Sequence, residues 1–136
     1  MKLQRVLVIE DNAANLKLVR DLLESRGYRV MVAASGEEGI DSLRFIAPRL
    51  ILIDVQLPGM DGLEVARLLR SRPDTRDVPV VALTAHAMPG DEERAREAGC
   101  NGYLTRPFDA HRFLDLVAGL CRRPDGDVST PRVVEG

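Results

Sequence analysis

Two hydrophobic spacings alternate along this chain. Unbroken apolar runs stand at residues 6–9, 30–33, 50–53 and 79–83, with a shorter one at 102–104. Between them, apolar residues recur every three or four positions: Leu16, Val19 and Leu23; Ile40, Leu43 and Ala47; Leu63, Ala66 and Leu69; Phe113, Leu116, Val117 and Leu120. Continuous runs read as strands buried on both faces, and the wider spacing as one face of a helix. Helix-end residues agree. Gly27 suits a C-cap, Ser35 with Glu38 and Asp61 with Glu64 form capping boxes, and Asp109 caps the last helix. Pro48 and Pro73 end the second and third helices. The segment 88–99 is different, because it is rich in charge and offers mainly Ala95 and Ala98 for packing. At about 25 cal/mol per Å2 of buried apolar surface, such a helix is loosely held.

Five strand–helix units in strict alternation predict an α/β fold, a parallel sheet with helices on both faces. Right-handed crossovers leave a doubly wound sheet as the simplest arrangement, and a closed eight-fold barrel would need far more chain. The length of 136 residues fits one domain, placed at residues 1–122. From Arg122 onward there is no periodicity, so residues 123–136 are expected to be a flexible tail.

Composition narrows the function classes. Hydrophobic residues make up 45% and charged residues 29%, an ordinary globular balance. A net charge of −2 supplies no positive field to recruit nucleic acid or anionic lipid. No apolar stretch approaches membrane-spanning length, and the N-terminus lacks a signal-peptide layout, so the expectation is a cytoplasmic protein. Cys100 and Cys121 have no partner motif and read as reduced thiols.

The unusual polar residues all fall where strands end: Glu10 and Asp11 after the first, Asp54 after the third, Thr84 after the fourth, Arg106 after the fifth. In a parallel sheet those ends share one rim, where open α/β folds bind ligands. Two carboxylates about 4 Å apart repel by roughly 4 kcal/mol at an effective dielectric near 20. Three of them call for a cation, or for one to stay protonated. An all-oxygen donor set with no His or Cys at ligand spacing suits Mg2+ or Mn2+ better than zinc. One carboxylate at the rim, a hard cation, a hydroxyl and a guanidinium fit phosphoryl transfer to Asp54, with Thr84 and Arg106 holding phosphoryl oxygens.

At this point the chain resembles a known family, the response-regulator receiver domain, over residues 3 to about 122. The resemblance rests on Val-Leu-Val-Ile-Glu-Asp-Asn at 6–12, Leu-Ile-Leu-Ile-Asp at 50–54 and Leu-Pro-Gly-Met-Asp-Gly at 57–62. Leu-Thr-Ala at 83–85 and Tyr-Leu-Thr-Arg-Pro-Phe at 103–108 complete it. It implies a flavodoxin-like strand order 2-1-3-4-5 and Asp54 as phosphoacceptor. It implies a metal held by Glu10, Asp11, Asp54 and the backbone carbonyl of Gln56. Thr84 and Tyr103 resemble the family's switch pair, and the fourth helix, fifth strand and fifth helix its protein-binding face. The implied function is a two-component or phosphorelay regulator, receiving its phosphoryl group from a histidine kinase or histidine phosphotransfer domain. No attached DNA-binding effector is expected, since the 14 residues from Arg123 on cannot supply a helix-turn-helix. The resemblance implies no enzymatic activity beyond, at most, autophosphorylation and autodephosphorylation.

One position departs from the family pattern. Arg106 stands where the family has Lys, a planar fork in place of a point charge. Because Pro107 follows, residue 106 is pushed toward extended geometry, and by resemblance the bond between them is cis. Charge is kept, so phosphorylation and Mg2+ affinity are expected to survive exchange with Lys, with switching altered. The alternative is a pseudo-receiver that binds partners unphosphorylated, although three clustered carboxylates argue against it. A phosphatase resembling haloacid dehalogenases would need Asp-x-Asp after the first strand, where this chain reads Glu10-Asp11-Asn12. His86, near the rim, and His111, on the last helix, read as solvated histidines.

Overall fold

Each apolar run becomes a strand and each helical spacing a helix. The structure is a computed structural model, and it describes residues 4–57, 59–85, 88–106, 109–121 and the backbone of 134–135. The strands are β1 (Arg5–Ile9), β2 (Arg29–Ala33), β3 (Leu50–Asp54), β4 (Val80–Thr84), β5 (Gly102–Thr105) and β6 (Val134–Glu135). The helices are α1 (Ala13–Ser25), α2 (Gly36–Ser42), α3 (Gly62–Ser71), α4 (Asp91–Glu97) and α5 (Ala110–Cys121). Among the described residues they form one parallel sheet in the order β2-β1-β3-β4-β5-β6, so the expected 2-1-3-4-5 order is present.

Burial follows the strand reading. β3 and β4 are buried at every position, as their unbroken apolar runs require, whereas the edge strand β2 has exposed and buried positions. Successive side chains point to opposite faces. Val6, Val8, Leu50, Leu52, Val81, Leu83 and Leu104 therefore pack toward α1 and α5. Leu7, Ile9, Ile51, Ile53, Val80, Ala82 and Tyr103 pack toward α2, α3 and α4. Cys100 and Cys121 are both buried and unbridged.

Three elements differ from their sequence expectation. α2 stops at Ser42, and Ala47 is exposed while Ile46 is partly buried against the core. The Ser42 hydroxyl donates back to the Gly39 carbonyl at 2.7 Å. The N–H groups of Leu43, Arg44 and Phe45 reach carbonyls three residues back, at 3.2, 3.2 and 3.0 Å. This tightened turn takes the chain off the helix before Ala47 comes round to the core. α4 is narrower than the 88–99 segment. It begins after Gly90 in the left-handed region (φ 88°), with Ala95 buried within it and Ala98 buried just past its end. Finally, most of the expected tail lies outside the described residues, but Val134–Glu135 pairs with β5, Val134 beside Gly102 and Glu135 beside Tyr103. A strand at the sheet edge leaves its backbone donors and acceptors open, and β6 takes up part of that edge.

At the end of the sheet opposite the rim, Arg70 of α3 ties three segments together. Its Nε donates to the Gly99 carbonyl at 2.8 Å, and its Nη1 to the carbonyls of Arg76 and Val78 at 2.8 and 2.7 Å. Its Nη2 donates to the Asn101 side-chain oxygen, which also accepts the Val80 N–H at 2.9 Å.

Candidate functional site

The strand register assembles the acidic cluster. β1 and β3 are aligned so that Ile9 lies beside Ile53, and the next residue on each strand is a carboxylate, Glu10 and Asp54. Both continue the alternation that faces α1 and α5, so they meet across one strand spacing. Asp11 follows in the turn before α1. One carboxylate oxygen from each of Glu10, Asp11 and Asp54 lies within 4.8 Å of the others, the first and last buried and Asp11 exposed. No helix among the described residues is long and apolar enough to cross a membrane.

Local hydrogen bonds hold these side chains. Asn12 caps α1, its Oδ1 accepting the Asn15 N–H at 3.0 Å, and its own N–H donates to Glu10 Oε2 at 3.1 Å. Gln56 N–H donates to Asp54 Oδ1 at 2.8 Å, fixing the carboxyl group at the head of the β3–α3 loop. That loop closes through α3: Gly62 N–H donates to the Val55 carbonyl at 3.1 Å, and the Asp61–Glu64 capping box is present. Behind the loop an open cleft of about 560 Å3 includes Gln56, Leu57, Thr84 and Met88 in its lining.

Arg106 enters the same cluster from β5. Its backbone N–H donates to the Thr84 carbonyl at 2.7 Å, which continues the β4–β5 pairing past Thr105. Its position keeps the alternation of Leu104, so the side chain turns toward Glu10 and Asp54. There its Nη2 meets Glu10 Oε1 at 2.6 Å, with 12% of the Arg106 side chain and 1% of the Glu10 side chain exposed. Glu10 is thus engaged at both oxygens. Burial, with the neighbouring Asp54 carboxylate adding to it, pushes the Glu10 pKa up to about 7, and the Asn12 N–H and the Arg106 guanidinium oppose that rise.

Thr84 and Tyr103 fall on the other face. Thr84 shares the alternation of Val80 and Ala82, Tyr103 lies beside Ala82 in register, and both are buried. The Tyr103 ring packs in the cluster that holds Ala95 and Ala98 of the α4 region. The sequence-derived site residues therefore converge at one rim in two groups: Glu10, Asp11, Asp54 and Arg106 on one side, Thr84 and Tyr103 on the other. His111 is exposed as expected. His86, Pro107 with its expected cis bond, and Phe108 lie outside the described residues.

Two features escape a reading of the sequence. One is the Glu10–Arg106 pair, 96 residues apart in sequence. The other is Gly62, where an added Cβ would overlap the Asp54 carbonyl oxygen and lie 2.9 Å from Val55 Cα. The capping box of Asp61 and Glu64 marked the start of a helix here and not this close approach.

The donor set fits a hard divalent cation, because three carboxylates converge with one oxygen each. Comparison with known proteins agrees with this chemistry. Residues 6–118 match the family model of the response regulator receiver domain. The polar-differentiation response regulator DivK of Brucella ovis is 46% identical over 112 residues, which cover 82% of this chain and 91% of that protein. A response regulator structure from Chloroflexus aurantiacus superposes with a TM-score of 0.86 at 31% identity, covering 90% of this chain and 100% of that one. The receiver domain of a Pseudomonas aeruginosa sensor histidine kinase, with a magnesium ion coordinated in its active-site cleft, gives 0.81 at 35% identity, covering 88% and 98%. With its strand order, acidic rim and matching sequence, the chain belongs to the response regulator receiver domain family.

Proposed function

We propose that Asp54 accepts a phosphoryl group from a phosphohistidine of a histidine kinase or histidine phosphotransfer domain. The observation that carries this reading is the convergence of Glu10, Asp11 and Asp54 oxygens within 4.8 Å at the carboxyl rim. An Asp54 carboxylate oxygen attacks phosphorus, the O–P bond forming as the P–N bond breaks. The imidazole nitrogen leaves with the electron pair and takes a proton from solvent. Gln56 N–H orients the nucleophile by holding Asp54 Oδ1. Glu10, Asp11, Asp54 and the backbone carbonyl of Gln56 hold Mg2+ or Mn2+. The bound cation supplies the positive charge that lets a phosphoryl group approach three carboxylates.

Thr84 and Arg106 take the remaining phosphoryl oxygens, one as a hydroxyl donor and one as a guanidinium. Thr84 shares its face with Tyr103, whose ring lies against the small side chains of the α4 region. A shift of Thr84 toward the phosphoryl group is thereby read by the α4–β5–α5 face, which docks a downstream protein. The acidic pI of about 5.7 supports a protein partner over nucleic acid, and a cytoplasmic setting is the natural one for this exchange. Residues 1–122 are the working domain.

Intact-mass measurement after incubation with a small-molecule phosphodonor tests the proposal. One phosphoryl group is expected in the presence of Mg2+, none in excess chelator, and none on Asp54→Asn. Equal modification of Asp54→Asn would refute it.

A further inference from the structure

The Glu10 carboxylate has two claimants. As a ligand of the proposed cation it must offer a lone pair toward Asp11 and Asp54. In this structure Arg106 Nη2 sits on Oε1 at 2.6 Å, and Asn12 N–H on Oε2 at 3.1 Å. The Asn12 contact is backbone at a helix cap and stays with the fold. The Arg106 contact is a side chain at the end of β5 and is free to change partners. Among its remaining donors, Nε is buried and has no hydrogen-bond partner among the described residues. A guanidinium with one strong contact and one buried, unanswered N–H is held in a place that satisfies it only in part.

We propose that Arg106 is an internal counter-ion that competes with the divalent cation for Glu10, so that metal binding releases its side chain toward the phosphoryl position. The inference rests on the metal-site reading above and adds its regulation. In the metal-free protein, the guanidinium occupies Glu10 and places a positive charge inside the cluster, which opposes the incoming cation. When the cation takes Glu10, Arg106 loses its partner, and the vacated donors face the rim where phosphoryl oxygens arrive. One side chain thus links metal loading to readiness for the phosphoryl group, and by reciprocity the phosphoryl group favours the metal-loaded state.

Two measurements on the full chain test the proposal. In the first, the Arg106 side-chain Nε–Hε signal is followed by NMR during titration with Mg2+ alone. It is expected to move in step with occupancy and to plateau when the site is full. A signal that stays fixed while the Asp11 and Asp54 backbone amides report saturation would overturn the proposal and leave the metal site standing. In the second, calorimetry compares Mg2+ binding by the unaltered chain and by Arg106→Gln. The variant should bind at least about tenfold more tightly, the size of an ordinary coupling between sites. Equal or weaker binding by a variant that unfolds cooperatively would overturn it. If Arg106→Gln does not fold, the NMR titration of the unaltered chain decides alone. Absence of Mg2+ binding in the unaltered chain would overturn this inference and the metal-site reading together.

Discussion

Gly62 is the residue through which the fold reaches the chemistry. Its φ is ordinary, so its requirement is space: α3 begins directly against the Asp54 carbonyl oxygen. Gly62→Ala must push backbone that carries Asp54, and is expected to lower stability by about 1–3 kcal/mol in urea titration while slowing phosphorylation by a small phosphodonor. Gly119, on an exposed turn of α5 with nothing within 4 Å of an added Cβ, supplies the contrast. Gly119→Ala should raise stability by roughly 0.5–1 kcal/mol in the same titration. Glu10 makes a second residue-level statement. Its folded pKa of about 7 lies above the ordinary carboxylate value of 4.5, so the metal-free folded state binds the extra proton between those limits. The stability contributed by this carboxyl is therefore full below about pH 4.5 and is lost as pH rises through 7. A cation held by the ionised group offsets that loss. The increase in Tm produced by saturating Mg2+ should be small at low pH and grow steadily toward pH 8, and a pH-independent increase would contradict this account of Glu10.

At the scale of elements, the reading of the sequence succeeded where periodicity and burial coincide. β3 and β4 were visible because an unbroken apolar run has no other home than the middle of a parallel sheet. The caps at Ser35 and Asp61 were visible because capping is local chemistry. The early end of α2 was not visible, since the hydroxyl of Ser42 competes for helix carbonyls in a way that apolar spacing cannot register. The hub at Arg70 was equally hidden. An arginine on a helix reads as solvated, yet this one donates to carbonyls from the α3–β4 and α4–β5 connections, and burial pulls its pKa down. It pins the C-terminal end of α4 while the helix itself offers the core little beyond Ala95. Arg70→Ala removes the side-chain donor to the Gly99, Arg76 and Val78 carbonyls and one of the two donors to the Asn101 side chain. Chemical denaturation should show a loss of about 2–3 kcal/mol. Because the hub lies at the far end of the sheet, Mg2+ affinity should be unchanged.

For the whole molecule, topology explains why so few residues announced the site. Parallel strands deliver their carboxyl ends to one rim, so Glu10, Asp54, Thr84 and Arg106 are distant in sequence and adjacent in space. The acidic cluster could be read from the chain, since it follows from where polar residues interrupt apolar runs, whereas the strand order was implied by the family resemblance alone. The choice of Arg106 partner could not, because it depends on a side-chain path across three neighbouring strands. The pairing of β6 with β5 was equally unreadable, as two residues without periodicity carry no signal until an open sheet edge is beside them.

The central claim is chemical, that an acyl phosphate forms on Asp54. Borohydride reduces an aspartyl-phosphate to homoserine and leaves ordinary carboxylates untouched, so the modified residue can be found by sequencing peptides in a mass spectrometer. After treatment with a phosphodonor and Mg2+, homoserine is expected at position 54 and at no other aspartate. Homoserine at Asp11 or elsewhere, or a phosphorylated chain in which position 54 remains aspartate, would contradict it.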